Sequence, residues 1–141
     1  LPVVSQPPPR IDLTGRPRRG LAVVTCMDTR IDPLAVLGLE PGDAKILRNA
    51  GARVTDDVVR SLAIVVAALG VDRVALIAHT DCAAAKSTDD ELRALVAGVA
   101  EADVTGWEPL AVDDQRATLR RDVDRHRPVG PRRGREPACG G

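Results

Sequence analysis

The sequence predicts an α/β fold, a mainly parallel β-sheet flanked by helices. Short β-branched runs, Leu21 to Thr25 (LAVVT) and Arg73 to Ala78 (RVALIA), alternate with capped helical segments, the pattern of βαβ units. Chemistry-bearing residues, Cys26 and His79, fall where two of those strands end, and parallel sheets bind ligands at the carboxyl ends of their strands. The length, 141 residues, suits one domain with a real core.

Each element has its local reason. Residues 1–20, rich in Pro, Arg and Gly, read as an extended N-terminal arm. Gly20 bounds the first strand. Asp32-Pro33 reads as a cap followed by a first-turn proline, opening a short helix that stops near Gly38. Pro41-Gly42 is a turn, Ala44 to Arg48 a second strand, and Asn49-Ala50-Gly51 a loop. Thr55 caps a helix to about Leu69, with Asp56 and Asp57 in its first turn and Gly70 at its stop. From Leu62 to Leu69 that helix has no polar residue on any face, so it needs cover on all sides; this predicts a homodimer. Thr88-Asp-Asp-Glu91 is a capping box for a helix to about Ala100, and a further amphipathic helix covers Asp113 to Arg127. Residues 128–141 change to Pro, Gly and Arg without periodicity and read as a loose tail, leaving 21–127 as the folded domain.

Composition excludes several functions. Lys+Arg and Asp+Glu number 20 each, so net charge recruits neither nucleic acid nor an anionic membrane. Trp107 is the only aromatic residue, which removes a base-stacking platform. No apolar run approaches a membrane span, and the first ten residues lack a signal peptide's apolar region. The chain opens at Leu1 instead of Met, which leaves room for an upstream segment. Three cysteines, Cys26, Cys82 and Cys139, favour thiol or metal chemistry in a reducing compartment, by default the cytoplasm. Cys139 lies in the tail and receives no role. No phosphate-binding glycine loop occurs.

Two segments carry the chemistry: Cys26-Met27-Asp28-Thr29-Arg30 and His79-Thr80-Asp81-Cys82. Two thiolates and an imidazole suit zinc, and three protein ligands leave a fourth position open. Any one of these residues alone is better read as a buried core group; all three at strand ends of one sheet favour a metal. Asp28 and Arg30, two apart on an extended chain, share a face. Their bland reading is a solvated ion pair. Beside zinc, Asp28 would accept a hydrogen bond from the bound water and Arg30 would hold it; if released, Asp28 could itself take the fourth position.

Cys-x-Asp-x-Arg after a first strand, then Asn-Ala-Gly, a long helix and His-x-x-Cys, resembles the β-class carbonic anhydrases, over about Leu21 to Asp90. Val54 to Leu69 is most similar to the shorter bacterial and archaeal branch. The resemblance implies one Zn²⁺ per chain held by Cys26, His79 and Cys82, with catalytic Asp28 and Arg30 beside it. It implies a homodimer or higher homo-oligomer and attack of zinc-bound hydroxide on carbon dioxide to give bicarbonate and a proton. It places Asn49, Ala50 and Gly51 beside the cleft as substrate-binding residues. Two departures stand out. Ala83 follows Cys82 where the family usually has Gly; if that position required φ > 0, Ala would cost about 1 kcal/mol. Nothing after Arg127 resembles the family's closing strand, so the final edge strand is expected to be missing and the C-terminus truncated or altered.

Competing classes remain open on the sequence. The same scaffold could hydrate carbon disulfide or carbonyl sulfide. A non-catalytic zinc-binding relative could sense bicarbonate or serve as an interaction module. A thiol redox pair, Cys26 with Cys82, lacks any C-x-x-C.

Overall fold

The computed structural model describes residues 14–100 and 103–127. The rest of the arm and the expected loose tail, with Cys139 and the question of a closing strand, lie outside the described residues.

Three parallel strands form the sheet: β1 (Leu21–Cys26), β2 (Ala44–Asn49) and β3 (Arg73–Ile77), in the order β2-β1-β3. The predicted α/β class is what the structure shows. β1 runs down the middle, and Ala22 to Cys26 are buried, which is why that strand carries an unbroken apolar run. Thr25, the one polar residue in the stretch Ala22 to Thr25, sends its hydroxyl to the Ile77 carbonyl at 3.0 Å. The register sets Cys26 beside Asn49 and Thr25 beside Ile77, so all three strands end at one edge.

The helices follow their sequence signals. In α1 (Pro33–Leu37) the Asp32 carboxylate accepts from the Leu34 and Ala35 amides, and Gly38 stops the helix in the left-handed conformation. α2 (Asp56–Ala68) packs Val58, Leu62 and Val65 against Ala22 and Val24 of β1, forming the main core with Val54 and Val71. Thr55 occupies its N-cap without a side-chain capping bond. The apolar stretch of α2 is covered on one side; Ile64 is 46% exposed and Ala67 and Ala68 are bare. In α3 (Asp89–Ala100) the capping box closes both ways, Thr88 N–H to Glu91 and Glu91 N–H to Thr88 Oγ1.

α4 (Gln115–His126) differs from its expected amphipathic character. Its buried stripe, at four-residue spacing, is polar: Thr118, Asp122 and His126. Asp122 is satisfied there by Arg53 and by the Val54 amide, so α4 docks through hydrogen bonds and charge where an apolar face was expected. Asn49 closes β2, where a loop was expected, and Ala50–Ala52 follow as a tight 3-10 turn. Among the described residues, no helix is long and apolar enough to cross a membrane.

Candidate metal centre

Cys26 is the last residue of β1, and His79 follows β3 by two residues. Because β1 and β3 are parallel neighbours, both are delivered to one edge of the sheet. A tight turn then brings back Cys82. The ligand atoms of Cys26, His79 and Cys82 lie within 4.8 Å of one another, and the two sulfurs are 3.9 Å apart. Tetrahedral zinc with Zn–S of about 2.3 Å requires roughly 3.8 Å between two thiolates, and the two sulfurs have that spacing. Both cysteines are buried, and His79 Nε2 is buried with no hydrogen-bond partner among the described residues. A buried imidazole nitrogen facing two sulfurs is an orphan that a metal would satisfy.

The backbone prepares the sulfurs. Burial alone would push the Cys26 thiol up, but the Asp28 and Gly51 amides, with His79 and Cys82, bring it below its ordinary value. Burial, reinforced by the neighbouring Cys26, pushes Cys82 up, against the Ala84 and Ala85 amides. The surroundings favour the thiolate at Cys26 over that at Cys82, and a divalent cation would relieve the opposition between the two. Gly51, at φ +75°, makes its turn possible: a Cβ there would come 3.2 Å from both Ala84 Cβ and Val112 Cγ2. Ala83 opens a 3-10 turn and is not among the residues with positive φ, so a left-handed strain at that position does not arise.

Asp28 and Arg30 form the expected dyad. Arg30 Nε and Nη2 donate to the two Asp28 oxygens at 2.9 and 2.7 Å, and the Arg30 amide adds a third bond at 2.9 Å. These bonds hold the Asp28 carboxyl well below the usual carboxylate range. Its Oδ2 stands 4.0 Å from His79 Nε2, directly beside the ligand cluster. Cys26, Asp28, Arg30, Ala50, Gly51, Cys82, and Ala83 line one open mouth.

Several supporting residues escaped the sequence reading. Arg48 donates to the carbonyls of Cys26 (3.0 Å) and Asp28 (2.6 Å), fixing the backbone that carries ligand and dyad. Gln115 of α4 donates to the His79 carbonyl. Arg53 binds Asp122 at 2.9 Å and the Leu110 carbonyl at 2.8 Å. Asn49 spends its side-chain amide on the Arg53 backbone, at 2.7 and 2.8 Å, and so braces the turn that holds Gly51. Asp81 accepts from Arg30 and from Lys86, which hold its carboxyl down to about 2. Asn49 and Asp81 lay inside the Asn-Ala-Gly and His-x-x-Cys segments; the side chains of Arg48, Arg53 and Gln115 carried no local signal, since their partners are 20 to 69 positions away.

Comparisons with known proteins agree with this geometry. A family profile described as carbonic anhydrase matches residues 21–124. Beta-carbonic anhydrase 1 of Mycobacterium tuberculosis (strain H37Rv) is 42% identical over 113 residues, 74% of this chain and 66% of that protein. The chain thus spans about two thirds of the length of that relative. A carbon disulfide hydrolase of Saccharolobus solfataricus is 43% identical over 74 residues, 52% of this chain and 36% of that protein. The crystal structure of a carbonic anhydrase from Streptococcus mutans superposes with a TM-score of 0.74 at 40% identity, covering 77% of this chain and 66% of that chain. With the family profile spanning β1 to α4 and a Cys–His–Cys cluster flanked by an Asp–Arg pair at the carboxyl edge of the sheet, the chain belongs to the β-carbonic anhydrase family.

Proposed function

We propose that this chain hydrates carbon dioxide reversibly to bicarbonate and a proton, with one Zn²⁺ per chain held by Cys26, His79 and Cys82. The single observation that carries the reading is the convergence of these three ligand atoms within 4.8 Å, with Asp28 Oδ2 4.0 Å from His79 Nε2. Bound there, zinc supplies a Lewis acid that lets water act as a nucleophile near neutral pH.

The chain's own residues do the rest. Asp28, kept ionised by Arg30, can only accept a hydrogen bond. An attacking oxygen beside it must therefore direct its remaining proton at Asp28, which turns a lone pair outward to the carbon of the substrate. Arg30 prevents the carboxylate from rotating away through its two parallel bonds. Arg48 and Gln115 hold the backbone on either side of the site. The mouth is walled by Met27, Ala50, Gly51, Ala83 and Ala84, a small aliphatic surface that suits an uncharged linear substrate. Ala50 and Gly51 stand closest to a substrate-binding role; Asn49 supports them through the Arg53 backbone.

The bare side of α2, with Ile64, Ala67 and Ala68, supports a homodimer or larger homo-oligomer. Two thiolate ligands that must stay reduced support a cytoplasmic location. The intact dyad favours the enzyme over a non-catalytic zinc-binding relative that senses bicarbonate.

The test is zinc per chain across a size-exclusion peak, followed by stopped-flow carbon dioxide hydration. Stoichiometric zinc with hydration above background supports the reading; stoichiometric zinc without hydration refutes the activity. A second reading, hydrolysis of carbon disulfide, is favoured by the similarity to the Saccharolobus enzyme, and release of hydrogen sulfide would support it.

A further inference from the structure

Arg30 does more than hold Asp28. Its Nη1 donates to Asp81 Oδ2 at 2.8 Å and its Nη2 to the Asp81 carbonyl at 3.1 Å, while Nε and Nη2 hold Asp28. One guanidinium therefore bridges the loop after β1 and the turn after β3, the two segments that carry the three ligands. Asp81 sits between His79 and Cys82 at φ +59°, a left-handed conformation that L residues seldom adopt and that Asp and Asn tolerate best. Its second oxygen is engaged by Lys86. A strained residue at the centre of a ligand turn, held on both carboxylate oxygens by cations, is over-determined by its surroundings, as functional strain requires.

We infer that Asp81 is a positioning residue: it anchors the far side of the Arg30 guanidinium so that the near side holds Asp28 in one orientation. The inference rests on the proposed function for its kinetic consequence and on geometry alone for its structural content. Arg30 is 60% exposed at its side chain and, with Asp28 as its sole partner, would swing on its three-carbon stem. With Asp28 on Nε and Nη2 and Asp81 on Nη1 and Nη2, all three guanidinium nitrogens are engaged and the plane is fixed, and with it the carboxylate that orients the nucleophile. Lys86 restrains Asp81 in turn and ranks below it, acting one contact further away.

The test uses the zinc-loaded chain and Asp81→Gly, which accepts the left-handed backbone freely and removes only the carboxylate. The first readout is hydrogen exchange of the Arg30 Nε–H in arginine-labelled protein, its signal assigned by its disappearance in Arg30→Lys. In Asp81→Gly that exchange should quicken about fivefold or more, since the bonded population falls, and Asp81→Asn should lie between. The second readout is hydration: kcat should fall about tenfold with zinc content unchanged. In an Asp28→Asn background, Asp81→Gly should cause no further loss, because its effect passes through Asp28. Unchanged Arg30 exchange, a kcat within about twofold of wild type, or a full independent loss in the Asp28→Asn background overturns the inference. An inactive wild type refutes the proposed activity, and the Arg30 exchange rate then decides this inference alone.

Discussion

Gly51→Ala isolates the turn that joins the metal centre to the fold. Gly51 has φ +75°, and an added Cβ would lie 3.2 Å from Ala84 Cβ and from Val112 Cγ2. Placing an L residue in the left-handed region costs about 1–2 kcal/mol, of which the stiffer unfolded chain returns about 0.4–1. The two tight contacts add an overpacking cost of about 1–3 kcal/mol, because Ala84 and buried Val112 are tied to each other by the Val112 amide on the Ala84 carbonyl at 2.8 Å. The sum is a loss of about 1–5 kcal/mol, read by urea unfolding of the zinc-free protein. Gly38→Ala is the control: φ is +62° there and none of the described residues has an atom within 4 Å of the added Cβ, so only the left-handed cost applies, a net of about 1 kcal/mol. The Cβ at Gly51 also pushes the turn from Ala84, moving the Gly51 amide off Cys26 Sγ. Zinc affinity, by chelator competition, should therefore fall about 10- to 100-fold in Gly51→Ala and stay at wild type in Gly38→Ala. Equal stability losses in the two variants would refute the packing argument; unchanged zinc affinity in Gly51→Ala would refute the amide-to-sulfur argument.

Three further predictions concern single groups. Cys82→Ser should lose zinc and hydration together, because a hydroxyl is a poor substitute for a thiolate on zinc, and full zinc by metal analysis would sink the ligand assignment. Asp28→Asn should keep zinc and lose about 100-fold in hydration rate, since an amide can present an N–H where an obligate acceptor is needed; a near wild-type rate would show that the dyad is not used. Burial lowers His126 below its ordinary pKa of 6.5, so the folded chain binds a proton less readily than the unfolded chain. Stability is then full above pH 6.5 and falls as pH drops through that value toward the lower folded one, a loss that His126→Gln should abolish in unfolding curves taken between pH 7.5 and 5.5.

Much of the site was legible because its groups are local. Asp28 and Arg30 are two residues apart, His79 and Cys82 three, and β1 ends at Cys26, so spacing and strand termini alone marked the candidate ligands. Short-range signals also placed α1, through Asp32, Pro33 and Gly38, and α3, through Thr88 and Glu91, because caps are satisfied within one turn. The same logic misassigned Asn49 to a loop. Its membership of β2 depends on pairing with Cys26, which no property of Asn49 announces.

What the sequence by itself determined is the set of elements and the chemical character of the centre: parallel strands, capped helices, and two thiols and an imidazole at strand ends. What only the tertiary structure decided is how those groups are held. The polar stripe Thr118, Asp122 and His126 reads as a solvated helix face, since polar residues usually face water. It is buried because Arg53, 69 positions away, supplies the charge that Asp122 needs out of water. Arg48 and Asp81 likewise meet their partners through the β2-β1-β3 order, and Gln115 meets the His79 carbonyl through the packing of α4. A hydrogen bond acts only over contact distance, and contact distance between remote residues exists only once the chain has folded.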